Sequence, residues 1–368
     1  MSLLKTCERA LKFALGAIAR VFLRPARPAT TPIPRERARR ILLLRPTNIG
    51  DAVIALPTID ALRNIFPESA IDLLAGVKNQ IVFVHERRLS RLFVFEKSVF
   101  KALALARKIR ARRYDVVIDL TFGDSVTTLF MATCAGKTAL RVGLNKRRHA
   151  SFFEYAIVFP EESATHRMLS TVRALEAFGR APLAGALRPL PIALGDPDRH
   201  SAEAVLGAEQ GAEWWGLNIS AGQPNRRWPQ EKHAELLRSI VTERPNLRAL
   251  VIATPEDRQL ALVIAKESGV TCAVVPANLT LLEVSAIVAR LRFLVTPDTA
   301  LTHIARGFNV PVVSMHVGSL SEFARWRPYG QTGGWVQSSE ENAIQTISVD
   351  QVVQAAREVW PPLEVSYG

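Results

Sequence analysis

Three short segments of this 368-residue chain combine residue types that can do chemistry. In the first, Gly50-Asp51 follows the apolar run at residues 40–45. Glycine permits a sharp backbone turn. The acidic residue after it either caps the next helix or, held against a substrate hydroxyl, serves as a general base. In the second, Asp298-Thr299-Ala300 separates the apolar run 293–296 from a helix-periodic segment. Such a turn points backbone N–H groups out of the sheet, where the helix dipole favours phosphate, although Pro297-Asp298 is also ordinary capping chemistry. In the third, Arg226-Arg227-Trp228-Pro229 follows the run 215–220 and precedes a helix. That order puts two guanidinium groups at the carboxyl edge of a sheet, suited to a pyrophosphate; the competing reading is a solvated loop with Trp228 stapled to the helix. His166 and Arg167 open a further helix and His303 lies within another, where a lone histidine is more often a core or surface residue. No GxGxxG and no Walker A sequence occurs, which disfavours an ordinary Rossmann dehydrogenase and a P-loop ATPase.

The elements that must position these residues alternate in type. Strands are expected at 40–45, 70–75, 92–95, 115–120 and 140–143, with helices at 51–66 (kinked early by Pro57), 100–112, 125–135 and 166–178. Residues 180–200, rich in Pro, Gly and Ala, read as an interdomain linker. The alternation then restarts, with strands at 215–220, 247–253, 271–275, 293–296 and 310–315. Helices are expected at 229–243, 256–268, 281–290, 299–307 and 349–360. Continuous apolar strands alternating with helices predict parallel α/β sheets. No internal sequence repeat is visible.

Length allows two domains with two cores. Cys7, Cys134 and Cys272 lie far apart with no metal-ligand spacing, so a disulfide framework or a metal site is not expected and a reducing cytosol fits. Ten Lys/Arg against two acidic residues fall in the first 40 positions, giving eight of the net +13; the remainder is only mildly basic. Residues 3–23 carry apolar side chains at helical spacing with basic residues on the other side. Charges interrupt this segment too often for it to span a bilayer, and no A-x-A cleavage site follows it. It is expected to lie on an anionic membrane surface, or else to pack on the protein or a second subunit. Residues 25–40 read as an extended basic linker outside the core. A nucleic-acid arm is disfavoured because no aromatic residue interleaves the basic ones there.

Taken in order, Ile41-x-Leu43-x-Arg45, Ile49-Gly50-Asp51 with Pro57, Ala221-Gly222 with Arg226-Arg227-Trp228-Pro229, and Pro297-Asp298-Thr299 with His303-Ile304-Ala305 resemble glycosyltransferase family 9, the ADP-heptose:lipopolysaccharide heptosyltransferases. The resemblance covers about residues 40–360. It implies a GT-B fold, an α/β architecture of two Rossmann-like parallel-sheet domains facing a central cleft, here with an N-terminal amphipathic helix added. The implied organisation is helix and linker at 1–39, an acceptor-binding domain at 40–185, a nucleotide-sugar-binding domain at 186–345, and a C-terminal helix at 346–368 packing back on the first domain. It also implies inverting, metal-independent heptose transfer with Asp51 as general base. Donor contacts fall on Ser220, Arg226 (where Lys is usual), Asp298, Thr299 and Ala300, with an acidic contact to the ribose near Glu256 or Asp257. Acceptor contacts fall on Asn48, Gly50, His166 and Arg167. The donor, ADP-heptose, is a substrate, and no cofactor is implied. The implied partner is a lipid-linked saccharide at the cytoplasmic face of the inner membrane, and no protein partner is implied.

The sequence departs from the family pattern at Ala300, in place of Gly; at Met315-His316-Val317-Gly318-Ser319, in place of Phe-Gly-Pro-Thr; and at Ala221-Gly222, in place of Thr-Thr. The departures at 221–222 and 300 motivate the alternative of a catalytically degenerate, membrane-associated binding protein on the same scaffold.

Overall fold

The computed structural model describes residues 25–160, 165–180, 187–207 and 213–360. They form two compact units, one from residues 25–160, 167–180 and 187, the other from 165–166, 188–207 and 213–360. The amphipathic helix expected near the N-terminus lies outside the described residues.

The first unit is built on β1 (Arg40–Arg45), β2 (Ala70–Gly76), β3 (Arg91–Phe95), β4 (Val116–Asp119), β5 (Leu140–Leu144) and β6 (Tyr155–Ile157). All are parallel, in the order β3-β2-β1-β4-β5-β6. Chain order reverses between β1 and β4, and in open sheets of this kind ligands bind outside the carboxyl ends of the strands at that point. Leu42, Leu43, Leu44 and Val116, Val117, Ile118 are fully buried, because helices cover both faces of a parallel sheet. Those helices are α1 (Ile49–Val53), α2 (Leu56–Ile65), α3 (Val99–Ala111), α4 (Val126–Cys134) and α5 (Arg167–Val172).

The expected helix at 51–66 is therefore two helices. Pro57 sits in the first turn of α2, where its missing N–H costs nothing, instead of kinking a continuous helix. The expected helix at 166–178 is α5 followed by a 3-10 turn, Arg173–Phe178, closed by Gly179 in the left-handed conformation at φ 68°.

The second unit repeats the topology with β7 (Glu213–Asn218), β8 (Leu247–Ile252), β9 (Cys272–Val274), β10 (Leu294–Pro297), β11 (Val312–His316) and β12 (Trp335–Gln337). Its parallel order, β12-β11-β10-β7-β8-β9, reverses between β7 and β10. Its helices are α6 (Asp196–Leu206), α7 (Gln230–Glu243), α8 (Arg258–Ser268), α9 (Leu281–Val288), α10 (Ala300–Gly307), α11 (Leu320–Trp326) and α12 (Val349–Val359).

Three expectations are corrected here. Residues 196–200 are not linker but the start of α6: Pro197 occupies its first turn and the Asp198 carboxylate accepts the Gly195 N–H at 2.8 Å, so the composition that suggests a linker is helix-start chemistry. The C-terminal helix, expected against the first domain, belongs to the core of the second unit. Val349, Val352, Val353 and Ala356 place one face of α12 in the second unit's core, with Trp215, Phe293 and Met315. Residues 25–38 are not a free linker. Ala26 N–H donates to Ser151 O (2.7 Å), Ala29 N–H to Glu154 O (2.9 Å) and Ile33 N–H to Ala177 O (2.8 Å), and Ile33 and Ala38 are buried. This strap lies beside β6, an edge strand whose outer backbone would otherwise be exposed.

Candidate active site

Each sheet carries a polar cluster at its switch point. In the first unit the cluster is centred on Arg45, the last residue of β1, which is 2 % exposed. Its Nη2 donates to Asp51 Oδ1 at 3.0 Å, its Nε to the Asp51 carbonyl at 2.9 Å, and its Nη1 to the Leu120 carbonyl after β4. Burial pulls the guanidinium pKa below its ordinary value, outweighing the attraction of Asp51 and Asp119. Asn48 N–H donates to Asp51 Oδ2 at 3.3 Å, closing the first turn of α1. Gly50 is the second residue of that helix and has no positive φ, so the chain turns before it, at residues 46–48, not at the glycine.

Beside this pair, Lys146 and Asp119 form a fully buried ion pair at 2.8 Å. Asp119 also accepts from Thr128 Oγ1 (2.5 Å) and Thr121 N–H (3.0 Å), while Lys146 donates to the carbonyls of Thr121 and Gly123. Arg167 stacks its guanidinium 3.8 Å from the centre of the Phe122 ring, in the same loop after β4. Of the expected acceptor residues, Asn48, Gly50 and Arg167 thus lie in the first unit. His166 does not. It is buried in the second unit, its Nε2 2.9 Å from the Arg327 carbonyl and its ring 4.9 Å from Tyr329, which makes it a packing residue there.

In the second unit, Asn218 ends β7 and its Nδ2 donates to Thr296 Oγ1 of β10 at 2.8 Å. Thr296 Oγ1 and Thr299 Oγ1 are 3.1 Å apart. This bridge fixes the turn leading into α10, whose first-turn N–H groups lack intrahelical acceptors. Arg226 reaches the same turn: Nη1 is 3.0 Å from Asp298 Oδ2 and 3.2 Å from the Asp298 carbonyl, and Nη2 is 3.9 Å from Glu322 Oε2. Burial pushes the Asp298 carboxyl up to about 6, with Arg226 pulling against it and Glu322 adding to it. Ser220 Oγ accepts the Thr254 N–H at 2.9 Å and joins the ends of β7 and β8.

Asp257 is paired with Arg227 at 3.3 Å, whereas Glu256 is exposed in the turn after β8. The two carboxylates that the sequence left as alternatives are thereby separated into one engaged by its neighbours and one open to a ligand. His303 is buried against Trp326 and His166, and burial depresses it to about 4, in keeping with the core role expected of it.

The sequence model of one family, Glycosyltransferase family 9 (heptosyltransferase), matches residues 102–354. The chain belongs to glycosyltransferase family 9. This glycosyltransferase is 19 % identical over 325 residues to the lipopolysaccharide core heptosyltransferase OpsX of Haemophilus influenzae, covering 85 % of this chain and 88 % of that protein. Among solved structures it resembles a family 9 glycosyltransferase from Veillonella parvula (TM-score 0.75, 18 % identity, 87 % of this chain and 97 % of that one). It also resembles the ADP-heptose LPS heptosyltransferase II of E. coli (TM-score 0.68, 16 % identity, 87 % and 98 %). The E. coli heptosyltransferase WaaC, solved with ADP-2-deoxy-2-fluoro heptose, matches at a TM-score of 0.67 with 17 % identity, over 87 % and 99 % of the two chains. At these identities the likenesses establish the GT-B fold.

The departures from the family pattern sit in this glycosyltransferase without strain. Ala300 is the first residue of α10 and has no positive φ, so an L-residue adopts its backbone freely. In the 315–319 segment, Gly318 approaches Glu340 so closely that a Cβ would meet its carbonyl at 2.6 Å, and Ser319 caps α11, which carries Glu322 toward Arg226. Asp119, Lys146, Asn218, Thr296 and Glu322 escape the motif reading, and Arg45 enters it as part of the family pattern with no role assigned. A signal for three of them is present, since Arg45, Asp119 and Asn218 are polar residues at the carboxyl ends of otherwise apolar strands.

Proposed function

We propose that the chain is an inverting heptosyltransferase that moves a heptose from an ADP-activated donor to a lipopolysaccharide core or other lipid-linked saccharide, working at the cytoplasmic face of the inner membrane. The family supports the sugar, and OpsX supports the class of acceptor. The observation that carries the chemistry is the Asp51 carboxylate, 20 % exposed and oriented by the buried Arg45 at a switch point.

The acceptor binds the first unit beside Asn48, Gly50, Asp51 and Arg167. The donor binds the second, with its ribose near Glu256 and its diphosphate on Arg226 and the turn Asp298-Thr299-Ala300, supported by Ser220. The acceptor hydroxyl oxygen forms a bond to the anomeric carbon while its proton passes to Asp51. The bond from that carbon to the diphosphate oxygen breaks, its electron pair leaves with the diphosphate, and attack from the opposite face inverts the centre. Arg226 and the α10 N–H groups stabilise the departing charge. The nucleotide sugar is itself a substrate, so no cofactor is called on.

Two measurements test this reading. Asp51→Asn preserves shape and should lower turnover by roughly 10²–10⁴ while ADP affinity, measured by calorimetry, stays within experimental error of the parent. Wild-type turnover in that variant would exclude Asp51 as the base. A binding screen across ADP, UDP, GDP and CMP sugars tests the donor, and nucleotide binding without transfer in the parent protein would favour a non-catalytic binding role.

A further inference from the structure

Outside the first 40 residues the positive charge is not evenly spread. Residues 78–113 hold eleven Lys/Arg against Glu86 and Glu96, a surplus of nine in a segment whose flanks offset much of it. The fold gathers part of this segment at one corner of the first sheet. Gly76 pairs with Phe95 on the edge strand β3, so residues 77–78 and 96–101 leave the carboxyl ends of β2 and β3 side by side. Val77 is 54 % exposed and Phe100 is 85 % exposed, the latter in the first turn of α3.

Along α3, Phe100, Ala104, Arg107, Lys108 and Ala111 recur at helical spacing and are all exposed, opposite the buried Ala102, Leu105, Ala106 and Ile109. Lys101 is partly balanced by Glu96 at 2.5 Å, in a solvent-exposed pair of little energetic weight. The corner is also tied to the candidate base. Asn79 accepts the Gly76 N–H (2.7 Å) and donates to the Arg45 carbonyl (2.7 Å), and Arg45 holds Asp51.

The geometry points to a membrane-docking corner: Phe100 and Val77 enter the boundary between headgroups and acyl chains of an anionic leaflet, while Lys78, Arg107 and Lys108 meet its phosphates. A phenylalanine 85 % exposed on a helix face that also carries Arg107 and Lys108 suits an interfacial helix. An aromatic tip flanked by cations could also meet nucleic acid, but the exposed Val77 at the end of the neighbouring strand offers nothing to a base or phosphate. A lipid-linked acceptor gives the corner its use, since it would present the saccharide at the sheet edge that carries Asp51. Vesicle binding and transfer are separate readouts, so docking can fail while the transfer reading stands.

The test uses the full chain and sedimentation with vesicles of phosphatidylcholine, alone or mixed with phosphatidylglycerol. The parent should bind only the mixed vesicles, less tightly as salt rises. Lys78→Glu, Arg107→Glu and Lys108→Glu should each weaken that binding about fivefold or more. Phe100→Ser should weaken it while leaving transfer to a soluble, delipidated acceptor unchanged, which shows that the variant is folded. In Phe100→Trp, the added emission should be quenched by brominated phosphatidylcholine in vesicle-bound protein, a signal that residues 1–24 cannot supply. Absence of that quenching overturns the proposal, and so does a loss in the glutamate variants that is confined to duplex DNA binding.

Discussion

Replacing Arg226 with methionine should have two effects that different measurements separate. The first is on stability. Arg226 lies 3.0 Å from a carboxylate whose burial already raises its pKa to about 6. At an effective dielectric constant near 20, that separation corresponds to a gross attraction of about 5 kcal/mol. Desolvation offsets much of it and Arg226 is 22 % exposed, so about 2 kcal/mol should be lost at neutral pH.

The sign follows from the direction of the shift. A carboxyl raised in the folded state contributes stability that is complete below its unfolded value and disappears as pH rises through its folded value. Without Arg226 the Asp298 carboxyl rises further, so the deficit should be full at pH 8 and shrink toward pH 5. Thermal unfolding reads it as a fall of roughly 4–8 °C at the higher pH. The second effect is on turnover, which should fall by about 10²–10³ with the loss of a charge aimed at the leaving diphosphate. Adding Asp298→Asn removes the orphaned carboxylate and should restore stability without restoring turnover, whereas Arg226→Lys should keep most of both. Turnover within a fewfold of the parent in Arg226→Met, or rescue of turnover by Asp298→Asn, would show that Arg226 acts only as a counter-ion.

Two further outcomes concern the scaffold. Arg45→Met should leave Asp51 without its orienting partner and lower turnover by about 10–100-fold with ADP affinity retained, at a cost of roughly 3 kcal/mol in the first unit's stability; equal losses in stability and ADP binding would mean general unfolding instead. Burial depresses His233 and His316 to about 3 and His303 to about 4, and groups depressed in this way contribute stability that is present above about pH 6.5 and lost as pH falls through the folded values. Together they should make the second unit lose about 4 kcal/mol per pH unit below pH 6.5, partly offset by Asp298 gaining its proton near pH 6, and His233→Leu should flatten the slope by about a third in pH-dependent denaturant melts.

Strand and helix alternation was readable because each core strand is a continuous apolar run, and such runs are what a sheet covered on both faces requires. Two of the shortest elements were not. Tyr155–Ile157 and Trp335–Gln337 are three-residue edge strands, too brief to show a period. Helix α6 was hidden because its Pro197 and Asp198, read singly, resemble linker composition. The packing side of α12 could not be read either, since its apolar stripe says that it packs and not against which sheet. His166 shows the same limit: it directly precedes Arg167, yet the pair divides between the two units.

The candidate site was legible wherever chemistry fell on a loop, whereas at the end of a strand the signal was only a polar residue closing an apolar run, which names no role. Gly50-Asp51 and Asp298-Thr299 announce themselves through capping residues, but what gives each its character is a polar side chain at the end of a neighbouring strand. Arg45 at the end of β1 turns a helix cap into an oriented carboxylate. Asn218 at the end of β7 locks the hydroxyls of Thr296 and Thr299 and so fixes the direction of the α10 N–H groups. The two clusters share a topology but not a charge. The first exposes a carboxylate backed by a buried cation, which suits a hydroxyl that must lose a proton. The second carries a carboxylate that burial pushes toward its neutral form and that Arg226 covers, beside the positive end of a helix, which suits an anion. Exchanging the roles would set a departing diphosphate against the exposed carboxylate of Asp51. This difference in charge supports the proposed assignment of acceptor to the first unit and donor to the second.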